Sequence, residues 1–418
     1  MPSTLDAVTN LGRFVVFAHH SFSATCAFLG SPRDLHATVA VLRILMPELT
    51  SVLVFLAGYK FAARRTVRAV ERFGAVEATY PEFIRRKLWR VYPEHVASIA
   101  ICCAYKSSDL APQLLSLVFC SQWMYLQMQA SHAFQLDDPA QSLLSNSPLW
   151  FVDMLMPLIL VAPVFLFLLS WVHHEGSCFA LVANTSVLFT ASTFLTSLPL
   201  HKLAFERMSM FQLPTFLIGI VCGIHVNVRE TNKQGSSNAL LARRSGLALF
   251  GFVSVYTVVK YFHCTKVLQL SQNDFLQCAH AIPLVDTATN KCVIIGLPLF
   301  LHIAGRDHVT LRSFLPKWTL FGQRYGLQSF LWAWPATDLV VAIARPVLPR
   351  TEWVVVAQAA LAAPFLAGNL VASVRDACEG KVKKRVTLRL DSDSDSDTDL
   401  SSDALVPYPT EEIEFGPI

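Results

Sequence analysis

Two adjacent histidines, His19 and His20, lie inside the first apolar stretch of the chain. If that stretch is a spanning helix, a rise of about 1.5 Å per residue puts them near the middle of the membrane. Ionisable groups at that depth are expensive and usually functional. A neutral imidazole there can act as general base toward a hydroxyl. The plain alternative is a packing histidine bonded to a carbonyl on a neighbouring helix. Adjacent helical residues point about 100° apart, so only one of the two can face a given site. A second cluster, FIRRKLWRVYP at 83–93, gathers Arg85, Arg86, Lys87 and Arg90. Arg90 is one turn beyond Arg86 and Lys87, so these cations can share a face. Guanidinium forks suit bidentate binding of phosphates; the ordinary alternative is a topology determinant with lipid headgroups as counterions.

Both clusters depend on long helices to position them. Of the 418 residues 53% are hydrophobic and only 15% are charged, and the mean hydropathy is +0.44. A soluble domain carries about a quarter charged residues, so the composition argues against a water-soluble enzyme and excludes disorder of the whole chain. Apolar stretches near the roughly 17–25 residues that cross a hydrocarbon core occur at about 8–29, 40–62, 90–105, 149–171, 178–199, 209–228, 245–262, 291–305, 322–345 and 353–374. They make ten candidate spans, with no internal repeat and no Gly-rich phosphate loop. An eleventh run, 111–130, is interrupted by Gln113, Gln122, Gln127 and Gln129, and hydropathy alone does not decide whether it crosses.

Charge asymmetry decides it, because short cytosolic loops collect Lys and Arg. The connection after the second span is the most basic, from Lys60 through Arg64, Arg65, Arg68 and Arg72 to Arg90. If 111–130 is interfacial or re-entrant, the later basic connections fall on that same side: Arg229 to Arg244, Arg306 to Lys317, and Lys381 to Arg389. The acidic Asp137–Asp138 loop then falls outside. The expected fold is all-α, a polytopic membrane bundle of about ten helices with both termini cytosolic, in an endomembrane or the plasma membrane. The N-terminus lacks a basic n-region and a small-residue cleavage site, so it is expected to stay as the first helix.

Residues 1–375 form the expected transmembrane domain, 376–390 a basic juxtamembrane segment, and 391–418 an acidic Ser/Asp-rich tail with almost nothing to bury, hence disordered. That tail holds six Asp and three Glu and no basic residue, leaving 34 basic against 21 acidic residues in the rest of the chain, so the overall +4 hides +13 on residues 1–390. Ser392, Ser394 and Ser396, each flanked by Asp, look like substrates of an acidophilic kinase; a plain solvated acidic tail is the alternative. Among ten cysteines there is no CxxC pair, and Cys26, Cys102, Cys103, Cys222 and Cys292 sit in apolar runs. They read as small core hydrophobes, with no metal expected. Cys264 and Cys278 share one polar loop and can pair if it faces an oxidising compartment. No nucleic-acid partner is expected.

Six stretches together resemble the acyltransferase 3 family of integral membrane O-acyltransferases, over most of residues 5–346. DAVTNLGRFVVFAHHSF is similar to the family's opening helix, with His20 in the place of its His. FLAGYKFA at 55–62 is similar to its Phe-x-x-Ser-Gly-Phe stretch, with Ala57 for Ser and Gly58 retained. RKLWRVYP at 86–93 resembles Arg-Arg-x-x-Arg-x-x-Pro. NSPLWFVDML at 146–155 resembles its Pro-Leu-Trp helix start, FQLPTFLIGIVCGI at 211–224 its Leu-Pro-x-Phe-x-x-Gly helix, and FGQRYGLQSFLWAWP at 321–335 its late helix ending in His-x-Pro. Departures are equally specific. Thr9 stands where the family has a basic residue, with Arg13 seven positions before His20. The Glu expected near Leu155 is missing, Asp153 being the nearest carboxylate. Ala333 replaces the late His.

The resemblance implies an acyltransferase of groups other than aminoacyl groups, with no bound cofactor and acyl-CoA as donor substrate. The donor's phosphates would be held by Arg86, Lys87 and Arg90, with Arg85 beside them. His20, or His19 in its place, would activate an acceptor hydroxyl, and Arg13 or Asp153 would orient it or balance charge. The acceptor would be a glycan, a lipid or a small metabolite. Two rivals stand beside this reading: a transporter or lipid-binding protein with His19, Arg13, Lys60 and Asp338 along a path, and the other membrane O-acyltransferase superfamily, whose His lies much later in the chain.

Overall fold

The computed structural model describes residues 50–62, 76–105, 110–124, 149–172, 178–197, 208–231, 326–348 and 352–392, with scattered helical positions between Thr9 and Thr25. Among the described residues there are helices and no strand. We number them α1 (Thr50–Ala62), α2 (Val76–Tyr105), α3 (Leu110–Leu117), α4 (Leu149–Val172), α5 (Cys178–Ser197), α6 (Ser209–Thr231), α7 (Gly326–Leu331), α8 (Ala333–Val347) and α9 (Trp353–Ser392). His19, His20, the Asp137–Asp138 and Cys264–Cys278 loops, the stretches 245–262 and 291–305, and the tail beyond Ser392 lie outside the described residues.

Two helical stretches are long and apolar enough to cross a membrane, Leu149–Leu169 with 21 residues and Trp353–Arg375 with 23. At 1.5 Å per residue each covers roughly 30 Å, the thickness of a hydrocarbon core. Among the described residues, large apolar side chains are exposed on four helices: Phe167 and Leu168 on α4, Val182 and Val187 on α5, Leu339 and Ile343 on α8, and Leu366 and Leu370 on α9. The interior, by contrast, takes up Arg13, Lys87, His95 and Asp153. A water-soluble bundle of amphipathic helices turns its polar faces outward instead. Apolar exposed faces with charges turned inward are what a lipid solvent selects.

Helix α6 packs against α5 and α4, while α7 and α8 both pack on α9. The closest approach lies between α1 and α6. A Cβ added to Gly58 would run into the backbone carbonyl of Phe216, and one added to Gly219 into that of Phe55. Only glycines allow two helix backbones to touch in this way. Helix α9 continues without interruption for 40 residues, so the basic segment 376–390 extends the last apolar stretch as one helix.

The run at 110–124 does not form one continuous helix. α3 ends at Leu117 after 8 residues, about 12 Å of rise. The backbone then turns through Val118–Cys120, with Phe119 at φ 57° and the Cys120 N–H donating to the Leu115 carbonyl at 2.8 Å. A short helical turn resumes at Gln122.

Candidate active site

Four of the six motif stretches meet at one cavity. Thr9 and Arg13 come from the first, Ala57 and Lys60 from α1, Phe151 from the start of α4 and Phe330 from α7; Leu53 and Leu56 complete the wall. Thr9 and Arg13 are one turn apart on the N-terminal helical segment, so they share a face. Ala57 and Lys60 are likewise spaced i, i+3 on α1. The cavity is small, with room for a water or so. It is the size of a reacting centre and not of a whole coenzyme.

The cavity's walls explain why the sequence folds this way locally. Phe151 and Phe330 stack with ring centroids 5.1 Å apart, and Phe330 also meets Phe17 at 4.9 Å. These three rings tie the first segment, α4 and α7 together. The glycine contact between α1 and α6 draws α1 inward and with it Ala57 and Lys60. Arg13, on the wall of this cavity, is 2% exposed. The position at which the resemblance expects a cation is occupied by Thr9. Arg13 and Lys60 put two cations on the same cavity from other positions.

The remaining candidates are placed elsewhere. Arg85 is exposed and forked onto Glu82, Nε at 2.7 Å and Nη2 at 2.8 Å. Glu82's hydrogen bond and charge hold that guanidinium above even its ordinary high value. Lys87 is buried, with Nζ 6.0 Å from the Phe83 ring centroid; Phe83 in turn meets Phe61 of α1 edge-on at 6.0 Å. Arg86 and Arg90 lie on the same helix, α2, their side chains outside the described ones. Asp153 does not line the cavity. Fully buried on α4, it accepts hydrogen bonds from Ser116 and Ser121 and lies 3.7 Å from His95. His95 is a residue that sequence reasoning misses. The signals for it are an ionisable residue inside an apolar run, two positions after Pro93, and two serines in the interrupted run 111–130. Among the described residues no group of three or more His, Cys, Asp and Glu is placed to hold a metal ion.

The described residues form helices that expose large apolar side chains, and four of the six motif stretches meet at one cavity, as a membrane-associated helical protein would have it. The model of the acyltransferase domain of the acyltransferase 3 family matches residues 12–369, and the chain belongs to that family. Membership makes the chain an acyltransferase in a family of membrane proteins. Comparison with curated proteins and with solved structures gives no significant match.

Proposed function

We propose that this protein is a multi-pass membrane O-acyltransferase that moves an acyl group from cytosolic acyl-CoA to a hydroxyl of a glycan, a lipid or a small metabolite. The observation that carries the reading is the convergence of Thr9, Arg13, Ala57, Lys60, Phe151 and Phe330 on one cavity. Acyl transfer passes through a tetrahedral species whose carbonyl oxygen becomes an oxyanion. Fixed positive charge in a dry site stabilises that oxygen far more than water does. Arg13 and Lys60 are suited to that role. His20, seven residues after Arg13 in the same apolar stretch, is the general base toward the acceptor hydroxyl. Arg86, Lys87 and Arg90, with Arg85 outermost, hold the phosphates of the donor. Asp153 acts with His95 and not at this cavity.

The bundle has ten spans and both termini in the cytosol, with residues 1–375 as the membrane domain and 391–418 as an acidic tail open to an acidophilic kinase at Ser392, Ser394 and Ser396. The test uses purified protein with acetyl-CoA as donor and octyl glucoside as both detergent and hydroxyl acceptor. His20→Ala is expected to lower turnover by about 100-fold or more, while His19→Ala, pointing about 100° away, keeps most of it. Unchanged turnover in His20→Ala refutes the assignment. The transporter reading also uses Arg13 and Lys60, and it predicts no acylated product however much donor is supplied.

A further inference from the structure

Helix α9 does not stop with its apolar stretch. It runs on from Arg375 to Ser392 as one helix, and residues 376–390 carry Lys381, Lys383, Lys384, Arg385 and Arg389 against Asp376 and Glu379. At about 100° per residue, Lys381, Lys384, Arg385 and Arg389 fall within an arc of roughly 140° and form one cationic face. Val382, Val386 and Leu390 fall instead within about 60° of Arg375, whose Nη1 meets Glu94 Oε1 of α2 at 2.7 Å. The cationic face is therefore turned roughly 110° from the contact with α2.

Lipid headgroups do not reach most of that face either. Where Trp353–Arg375 crosses the membrane, the helical rise carries Lys381 about 9 Å and Arg389 about 21 Å beyond Arg375. A headgroup layer is only about 5–8 Å deep on each side, and a steep tilt of about 40° still leaves Arg389 about 16 Å out. Counter-charge of the right spacing follows directly in the chain. Residues 391–403, DSDSDSDTDLSSD, hold six Asp and no basic residue. From Asp391 to Asp399 every second residue is Asp, and in an extended chain such residues share one side, about 6.6 Å apart. Lys381, Arg385 and Arg389 follow one another at four-residue steps along α9, about 6 Å each. The two spacings stay in register over three pairs, Asp395 beside Arg389, Asp397 beside Arg385 and Asp399 beside Lys381, once Asp393 and Ser394 reverse the chain. The negative end of the helix dipole favours that reversal, since it repels Asp391 and Asp393 and attracts the cations of the last turns.

We propose that the acidic tail docks back along α9 as an intramolecular clasp, its alternate Asp residues paired with Lys381, Arg385 and Arg389. The clasp goes beyond the acyl-CoA reading and does not depend on it. Ser394, Ser396 and Thr398 fall on the other side of the extended segment, so these hydroxyls stay open to a kinase while the clasp is closed.

The test is tryptic cleavage after Lys381, Lys384, Arg385 and Arg389 in the full-length protein, held in nanodiscs of phosphatidylcholine alone and timed by mass spectrometry of the released C-terminal fragments. The triple variant Asp395→Asn, Asp397→Asn, Asp399→Asn is expected to be cleaved about tenfold faster than wild type, as loss of three exposed ion pairs together would give. Salt at about 1 M, where the screening length falls to about 3 Å, should bring wild type to the rate of that variant. Exchanging two neighbours, S396D with D397S, keeps the charge and breaks the alternation, and should also speed cleavage. Equal rates for wild type and triple variant at low salt, whether fast or slow, overturn the clasp. Protection that survives the exchange shows attraction by net charge alone and overturns the paired register. Nanodiscs that also contain phosphatidylserine supply the last comparison: protection found only there, and equal in wild type and triple variant, makes the lipid surface the partner and overturns the proposal.

Discussion

Arg13 and Thr9 face one cavity from consecutive turns of a single helical segment, so on the proposed mechanism a cation on either would reach an oxyanion formed there. Arg13→Gln should lower turnover by roughly 100-fold, the usual cost of losing one fixed electrostatic partner of an oxyanion. Adding Thr9→Arg to that variant should recover about tenfold of it by restoring the cation one turn earlier. Thiol release by the two proteins checks this, and no recovery in the double variant would mean that Arg13 does more than supply charge. Arg13 is legible in the sequence because a cation inside an apolar helix is itself a signal. Lys60 is not legible as an oxyanion partner: at the end of a span it reads as a topology charge, and only the inward pull on α1 turns it to the cavity. His95 is illegible for a different reason. A single histidine in an apolar run has an ordinary packing explanation, and its meaning comes from Asp153, 58 positions away, and from two serines on a broken helix.

At the scale of elements, the contact of α1 with α6 sets the depth of the cavity. The Gly58 and Gly219 collisions are with backbone atoms, which cannot turn aside as a side chain can. Gly58→Ala should therefore cost at least the ~1–3 kcal/mol of an overpacked core and abolish turnover by pushing Ala57 and Lys60 outward. Gly12→Ala is the control. Its Cβ would meet Leu53 Cδ2 at 3.1 Å, the end of a flexible side chain, and most stability and activity should survive. Thermal unfolding in detergent separates the two; equal melting temperatures would show that the helices can part without loss. Gly58 and Gly219 both stand out as motif positions, but no spacing in a sequence says which glycine on one helix meets which on another. The 110–124 run is ambiguous for a related reason. Its glutamines leave hydropathy balanced, and what breaks the helix is the left-handed backbone at Phe119, whose residue type gives no warning.

The whole molecule adds a constraint on topology that charge counting lacks. Arg375 Nη1 lies 2.7 Å from Glu94 Oε1, a partly buried pair joining residues 281 positions apart. Glu94 is one turn past Arg90 near the start of an apolar stretch of α2, and Arg375 closes the last apolar stretch of α9. Groups held this closely lie at one depth, so if both stretches cross, the beginning of the third candidate span and the end of the tenth belong to the same side of the membrane. An even number of crossings must then separate them. On the proposed ten spans, counting from the third through the tenth gives eight when 111–130 turns back and nine when it crosses, so the pair is in keeping with the proposed re-entrant run. Cys378, exposed three residues beyond Arg375, makes this testable. A membrane-impermeant maleimide applied from the cytosolic side should modify Cys378 and an introduced Ala69→Cys. It should reach Ser142→Cys only from the opposite side, with mass spectrometry identifying each labelled peptide. Labelling of Ser142→Cys from the cytosolic side would mean that 111–130 crosses. The acidic Asp137–Asp138 loop would then face the donor's compartment, and the acceptor would have to enter elsewhere.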